Sequence, residues 1–87
     1  MKLQAIFWDY PHFLDQGYLE SFLKDNRGSD VYYWIMTRML ERGRVVDTLH
    51  FFSINEIAER LSSVKMSPYT TKKWSRLVEV YAHRQRG

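Results

Sequence analysis

The sequence predicts an all-α fold: a compact bundle of four to five short helices around a central apolar helix. Three observations predict it. The ten residues from Val31 to Leu40 are apolar nearly all round a helix, with Thr37 and Glu41 in one narrow polar arc. Helix start signals of two kinds, Ser-x-x-Glu and Ser-Pro, follow further along the chain. Finally, 87 residues, 45% of them apolar and 16% aromatic, supply one core, so residues 1–87 form a single domain.

The N-terminal segment is predicted to be an extended arm followed by a helix. Leu3 to Trp8 is an apolar run, and Pro11 holds Tyr10 away from the α region of backbone conformation. We therefore expect an extended arm whose aromatic side chains lie on the core. Asp15 can accept hydrogen bonds from backbone N–H groups, so it is expected to start a helix from Gln16 to Asp25.

The central helix has a signal at each end. Ser29 is its predicted N-cap, and Gly43 is predicted to end it in the left-handed conformation that glycine tolerates. The next stretch, residues 45–52, is predicted to be a short helix or turn with three apolar residues on one face: Val46, Leu49 and Phe52. Its adjacent valines and adjacent phenylalanines leave a strand open as the alternative.

The last two helices have the clearest start signals. Ser53 and Glu56 fit a capping box, in which each side chain satisfies a free backbone N–H of the other, and they predict a helix from Ile54 to Leu61. Ser67-Pro68 marks the second start, because proline at the first helical position loses no hydrogen bond. This last helix is predicted to reach about His83.

These two helices follow one another in the order of a helix-turn-helix. The formal charge of +3 is uneven: residues 1–43 carry five Lys/Arg and six Asp/Glu, whereas residues 44–87 carry eight and four. An excess of positive charge favours an anionic partner. DNA binding is therefore one hypothesis, with Lys65, Thr70, Lys72, Lys73 and Arg76 as its candidate residues. The other interpretation is a pair of packed helices with solvated basic side chains, since Ser62 stands in the turn where glycine is usual.

No motif indicates an enzyme, a metal site or a cofactor. Asp9, His12 and Asp15 match no ligand spacing, and His50 and His83 stand alone on their segments. The glycines stand apart, so no Gly-rich phosphate loop is present, and the lack of cysteine excludes a disulfide framework and a thiol nucleophile. No run of about 18 apolar residues is available to span a bilayer, and the N-terminal apolar run is too short for a signal sequence. We expect a cytoplasmic protein that is not an enzyme.

Three short motifs resemble a known family: Ile6-Phe7-Trp8-Asp9, Arg38 to Gly43, and Met66-Ser67-Pro68 with Trp74. The family consists of small, uncharacterised prokaryotic domains that are often encoded beside AbiEii-type nucleotidyltransferase toxins. The resemblance covers most of the chain, and its motifs are largely core and capping residues. It implies an accessory or antitoxin-like role and carries over no catalytic residues.

The aromatic residues support an interaction role independently of that resemblance. A small single core has limited room for aromatic side chains, so some of them are expected on a contact surface. The candidate partner-binding residues are Tyr10, Phe13, Tyr18, Tyr33 and Tyr69. The main hypothesis is a non-enzymatic module that binds a protein partner, with a nucleotidyltransferase-like toxin as the suspected one. DNA binding is the alternative, the two can coexist, and self-association is left open.

Overall fold

Two short 3-10 helices precede five α-helices in the computed structural model, which describes the backbone of residues 3–86 and the side chains of residues 3–81. The 3-10 helices are Leu3–Ala5 and Pro11–Leu14. The α-helices are α1 (Gln16–Asp25), α2 (Asp30–Arg42), α3 (Val45–Phe51), α4 (Ile54–Ser63) and α5 (Pro68–Arg86). Residues 3–86 contain no strand, so the all-α prediction is confirmed.

The N-terminal segment is coiled, and the prediction of an extended arm is wrong. The backbone N–H groups of Ile6 and Phe7 both donate to the carbonyl of Leu3, at 3.0 and 2.8 Å. These three residues lie at positions i, i+3 and i+4, so a helical turn buries all three on one side, whereas a strand would alternate them. The restriction imposed by Pro11 acts only on Tyr10, which has φ −133° and ψ 79°.

Helices α1 and α2 begin at the predicted caps. A carboxylate oxygen of Asp15 accepts from the N–H of Tyr18 at 3.0 Å, and the hydroxyl of Ser29 accepts from the N–H of Tyr32 at 3.2 Å. Helix α2 contacts α3, α4 and α5. Its buried side chains are Tyr32, Ile35, Met36, Met39 and Leu40. The prediction of a central apolar helix is therefore confirmed.

Gly43 ends α2, but the predicted left-handed conformation is wrong. Its φ and ψ are −91° and 163°, and its N–H donates to the carbonyl of Met39 at 2.7 Å. Glycine is required here for space, because a Cβ atom would lie 2.8 Å from that carbonyl oxygen and 3.1 Å from Cδ1 of Ile6. The left-handed glycine is instead Gly28, with φ 82°, in the turn between α1 and α2.

We expect Gly43→Ala to lower the free energy of unfolding by about 1–3 kcal/mol, because the nearest obstacle is backbone that moves only by straining α2. Gly17→Ala is the matched control on α1. Its Cβ atom would meet nothing closer than 3.4 Å, so we expect a gain of about 0.4–1 kcal/mol from lower backbone entropy in the unfolded chain. Urea unfolding followed by circular dichroism measures both variants. Equal effects of the two substitutions would contradict the role of space at Gly43.

Helix α3 is a helix as predicted, but its predicted inward face is partly wrong. Val46 is 68% exposed, although Leu49 is half-buried and Phe52 is buried. Asp47 and Thr48 are buried instead. Both are satisfied locally by Arg44: its Nε donates to the Asp47 carboxylate at 3.1 Å, and its carbonyl accepts from the Thr48 hydroxyl at 2.9 Å. Because these polar groups are paired, burying them carries little penalty.

The capping box of α4 is confirmed. The N–H of Glu56 donates to the Ser53 hydroxyl at 3.2 Å, and the N–H of Ser53 donates to the Glu56 carboxylate at 3.1 Å. The helix continues to Ser63, two residues beyond the predicted end at Leu61.

Helix α5 begins at Pro68 as predicted and packs mainly on α4. It extends to Arg86, beyond the predicted end near His83, whose side chain lies outside the described residues. Trp74 fastens α5 to the central helix: its ring is fully buried, and its Nε1 donates to the carbonyl of Leu40 at 3.0 Å.

Candidate functional site

Arg38 fixes the N-terminal segment on α2. Its Nε donates to the carbonyl of Ile6 at 2.8 Å, and its Nη2 donates to the carboxylate of Asp9. Only 14% of its side chain is exposed. A charge that is nearly buried needs such partners, and here they come from a segment about thirty residues earlier in the chain. Arg38 is therefore a positioning residue for everything that the N-terminal segment presents.

Aromatic rings surround this guanidinium group. Its central carbon lies 4.8 Å from the ring centroid of Trp8 and 5.4 Å from those of Tyr10 and Trp34. Tyr10 and Trp34 pack edge to face with their centroids 5.2 Å apart. Cation–π and edge-to-face contacts of this kind hold rings in defined orientations.

Four of the rings in this region remain partly in solvent, and together they are called the aromatic surface: Trp8, Tyr10, Tyr18 and Trp34. Their exposed fractions are 53%, 41%, 49% and 38%. The buried ring of Phe13 connects them, since its centroid lies 6.1 Å from that of Tyr10 and 6.2 Å from that of Tyr18. Exposed aromatic rings on a packed support are typical of interaction sites.

The aromatic surface continues into a shallow groove along the exposed side of α2. The groove is lined by Trp34, Thr37, Arg38, Glu41 and Arg42. Arg42 is exposed, and its guanidinium carbon lies 4.7 Å from the ring centroid of Trp8. The indole ring of Trp8 therefore contacts two guanidinium groups.

The structure brings together only some of the predicted partner-binding residues. Tyr10 and Tyr18 belong to the aromatic surface. Phe13 is 8% exposed, so the prediction that it contacts a partner is wrong, and it supports the two tyrosines from below. Tyr33 is half-buried under the guanidinium group of Arg60, 4.8 Å away, and Tyr69 is exposed separately at the start of α5. The five residues therefore do not form one patch.

Sequence reasoning missed Trp8 and Trp34 as candidate site residues. For Trp34 a signal exists, because it lies at the edge of the polar arc of α2, one turn before Arg38. For Trp8 the expectation of a core position is wrong, since Leu3, Ile6 and Phe7 occupy the buried side of the coiled segment and Trp8 falls outside it.

Thr70 is wrong as a nucleic-acid contact, because it is 2% exposed and its hydroxyl is used internally. That hydroxyl donates to the Glu41 carboxylate at 2.9 Å and lies 2.8 Å from the Ser67 hydroxyl. Lys73 is half-buried, with its Nζ 5.7 Å from a ring centroid of Trp74. The predicted candidates that stand exposed are Lys65, Lys72 and Arg76.

Glu41 ties the start of α5 to the end of α2. Its carboxylate accepts from the backbone N–H of Ser67 at 3.0 Å, from the Ser67 hydroxyl at 3.0 Å and from the Thr70 hydroxyl. The hydrogen bond from the Ser67 backbone is the main reason that the pKa of Glu41 lies below its ordinary value of 4.5, and partial burial opposes it. A carboxylate at this position also matches the positive end of the α5 dipole.

We expect Glu41→Ala to lower the free energy of unfolding by about 1 kcal/mol at pH 7, as for the loss of a helix cap. Because the folded pKa lies below the unfolded one, this stabilisation is complete above pH 4.5 and is lost as the pH falls through the folded pKa. Urea unfolding at pH 7 and at pH 3 measures the difference. Glu59→Ala, on the exposed side of α4, is the control. A difference between wild type and Glu41→Ala that does not shrink in acid would contradict this account.

His50 is the lone histidine of its segment, but it has polar neighbours on α1. Its Nε2 lies 2.7 Å from a carboxylate oxygen of Glu20, and the side-chain nitrogen of Gln16 donates to the same oxygen at 3.1 Å. These hydrogen bonds, with that of His50 the stronger cause, lower the pKa of Glu20. The pair bridges α1 and α3, thirty residues apart, so spacing along the sequence could not reveal it.

The His50 pair borders an open cleft of about 190 Å³, in which the buried Tyr32 also takes part. Burial, followed by its hydrogen bond to Glu56 at 3.0 Å, raises the pKa of Tyr32 to about 12. The phenol is therefore neutral at physiological pH. Its hydroxyl donates to the Glu56 carboxylate, which also accepts a hydrogen bond from Arg27 at 2.7 Å. Among the titratable groups that line the cleft, Glu20 and His50 are therefore paired with each other, and Arg27 and Tyr32 both donate to Glu56.

No family model, curated protein or solved structure matches this chain. Within the part that the structure describes, no three His, Cys, Asp or Glu side chains are grouped so that they could hold a metal ion. The same part contains no helix that is both long enough and apolar enough to cross a membrane.

Proposed function

We propose that this chain is a non-enzymatic protein-interaction module whose partner binds at the aromatic surface. The observation that carries the proposal is the exposure of two tryptophans, Trp8 and Trp34, around one nearly buried arginine, Arg38. Tryptophan, tyrosine and arginine are the residue types in which binding energy concentrates at protein interfaces.

The support beneath the rings favours binding over a merely structural role. Arg38 and Phe13 already hold the rings in place, so little side-chain freedom is left to lose when a partner binds. A purely structural cluster would gain stability by burying its indole rings, whereas 53% of Trp8 and 38% of Trp34 stay in water. A partner that covered these rings would supply that stabilisation.

A nucleotidyltransferase-like toxin is the partner that we propose testing first, on the basis of the family resemblance. The tagged chain is co-expressed with the product of the neighbouring gene, and the affinity of the purified proteins is measured by calorimetry. We expect Trp34→Ala to weaken binding at least tenfold, which corresponds to about 1.4 kcal/mol.

Val46→Ala is the matched control for that experiment. Val46 is 68% exposed on α3, outside the aromatic surface, so its truncation should leave the affinity unchanged. Failure of the neighbouring product to bind the wild-type chain would exclude the toxin as partner. Equal affinities of wild type and Trp34→Ala, with unchanged circular dichroism, would exclude the aromatic surface as the site.

We propose duplex DNA binding by α5 as the second candidate function. Lys72 and Arg76 are exposed one helical turn apart and border the same surface groove, and Lys65 is exposed just before the helix. In the part of the chain with described side chains, none of the three forms an ion pair. Six basic residues and one acidic residue follow Val64. The positive charge is therefore available to phosphates.

Salt dependence tests the second candidate. If these three side chains neutralise three phosphates, the logarithm of the affinity should fall with the logarithm of the salt concentration at a slope of about −2.7. Fluorescence anisotropy with a labelled duplex measures it for wild type, for a double variant with Lys72→Ala and Arg76→Ala, and for the control Lys24→Ala on α1. Absence of binding at low salt, or an unchanged affinity of the double variant, would rule this function out.

A further inference from the structure

The charges beside the aromatic surface indicate what kind of partner it takes. Arg38 is neutralised by Asp9, and Arg44 by Asp47. Arg42, the last residue of α2, lies between them in the sequence and has no carboxylate within 4.0 Å among the described side chains. The exposed cation therefore adjoins Trp8 without an ion pair, and the carboxylate that it acts on through space is that of its chain neighbour Glu41, whose pKa it lowers as the smallest of several causes.

The acidic neighbour of Arg42 in the chain is already engaged. Glu41 accepts three hydrogen bonds from the start of α5, two of them from Ser67 and one from Thr70. Moving this carboxylate to Arg42 would remove the acceptor of the Ser67 backbone N–H and one of the two partners of the buried Thr70 hydroxyl. The guanidinium group of Arg42 therefore keeps its donors free for a group that comes from another molecule.

We infer that the aromatic surface takes an acidic peptide segment, in which an Asp or Glu side chain pairs with Arg42 and a neighbouring apolar side chain packs on Trp8 and Trp34. This inference rests on the proposed function and names the chemistry of its partner. A planar guanidinium group matches a carboxylate with two parallel hydrogen bonds, and its contact with the Trp8 ring already restricts its motion.

The same observations favour a peptide over a single-stranded nucleic acid. A nucleic acid needs a track of positive charge and open ring faces on which successive bases stack. Here the charges of Arg38 and Arg42 are equalled by those of Asp9 and Glu41, so there is no track of positive charge, and Arg42 is the one of the two cations without an ion pair among the described side chains. Tyr10 and Trp34 also meet edge to face, which does not align their faces for successive bases.

A phage-displayed library of random peptides, selected on the full chain, tests the inference. We expect the enriched peptides to combine Asp or Glu with an adjacent aromatic or aliphatic residue. A synthetic peptide from that set should bind Arg42→Gln about three- to tenfold more weakly than wild type, with Arg42→Lys in between. Its affinity for wild type should fall with added NaCl more steeply than its affinity for Arg42→Gln.

Parallel selections separate this inference from the proposed function. Enriched peptides that need Trp34 for binding, but contain no acidic residue and bind Arg42→Gln as tightly as wild type, would overturn the inference. They would leave the proposed interaction surface unaffected. Peptides that bind wild type and Trp34→Ala equally would overturn the proposed function itself. Binding of a labelled single-stranded oligothymidine, or self-association seen by sedimentation, would also overturn the inference if Trp34→Ala abolishes it.

Discussion

Trp74→Ala should lower the free energy of unfolding by about 3–5 kcal/mol, the largest effect that we expect from a single substitution. The ring is fully buried between α5 and the central helix. Its removal leaves a cavity and also leaves the carbonyl of Leu40 without its donor. The free energy of unfolding of a native domain is about 5–15 kcal/mol in total, so this variant should unfold at a much lower urea concentration than wild type.

Two further variants separate the causes of that loss. Trp74→Phe keeps most of the buried volume but lacks the N–H, so its loss should be smaller. Tyr69→Ala removes a ring that is 75% exposed on the same helix, and its effect should stay within about 0.5 kcal/mol. Urea unfolding followed by far-ultraviolet circular dichroism measures all three. If Trp74→Ala unfolded at the same urea concentration as Tyr69→Ala, that result would contradict the role of Trp74 in packing α5 on α2.

Arg38→Gln should lower the free energy of unfolding by about 2–4 kcal/mol and loosen the N-terminal segment. The substitution removes the hydrogen bond to Ile6, the ion pair with Asp9 and the cation–π contacts with the surrounding rings. Because 43% of the Asp9 side chain is exposed, the ion pair itself contributes little, and most of the loss comes from the other two contacts.

Hydrogen exchange locates the effect of Arg38→Gln. The amides of Phe7 and Tyr10 donate to the carbonyls of Leu3 and Phe7, respectively, within the N-terminal segment. We expect the substitution to accelerate the exchange of these two amides more than that of amides in the middle of α2. Arg42→Gln is the control, because Arg42 touches the ring of Trp8 but makes no hydrogen bond to the described residues of that segment. Unchanged exchange at Phe7 and Tyr10 in Arg38→Gln would show that Arg38 does not position the segment.

Most of the fold could be predicted from the sequence because the signals that start its helices involve only residues close together in the chain. Asp15, Ser29, Ser53 and Ser67 each cap the helix that follows, and each acts on a backbone N–H three residues away. The apolar circumference of α2 was an equally direct sign of a central position. Such signals depend on a few neighbouring residues, so tertiary packing did not alter them.

The wrong predictions of the fold concern segments whose local sequence allows two conformations, of which tertiary contacts stabilise one. The spacing of Leu3, Ile6 and Phe7 already fits a helical turn, but the proline at position 11 suggested an extended chain. Thr70 lies one turn before Trp74, so its helical face should have indicated burial, although its side chain is polar. Glu41, from a different helix, makes that burial possible.

The candidate site could be predicted only in part. Tyr10 and Tyr18 were identified by their residue type, but the contacts that define the aromatic surface join residues far apart in the chain. Arg38 meets Asp9 across 29 positions and Ile6 across 32. Neither periodicity nor spacing carries such information. The exposure of Trp8 also follows from the coiled N-terminal segment, for which an extended arm was predicted.

The indole N–H resonances of the three tryptophans test the central claim most directly. Trp8 and Trp34 belong to the aromatic surface, whereas Trp74 is fully buried and hydrogen-bonded to Leu40. When the product of the neighbouring gene is added to the ¹⁵N-labelled chain, we expect the signals of Trp8 and Trp34 to shift or broaden more than that of Trp74. A complex that forms while the signals of Trp8 and Trp34 stay in place would contradict it.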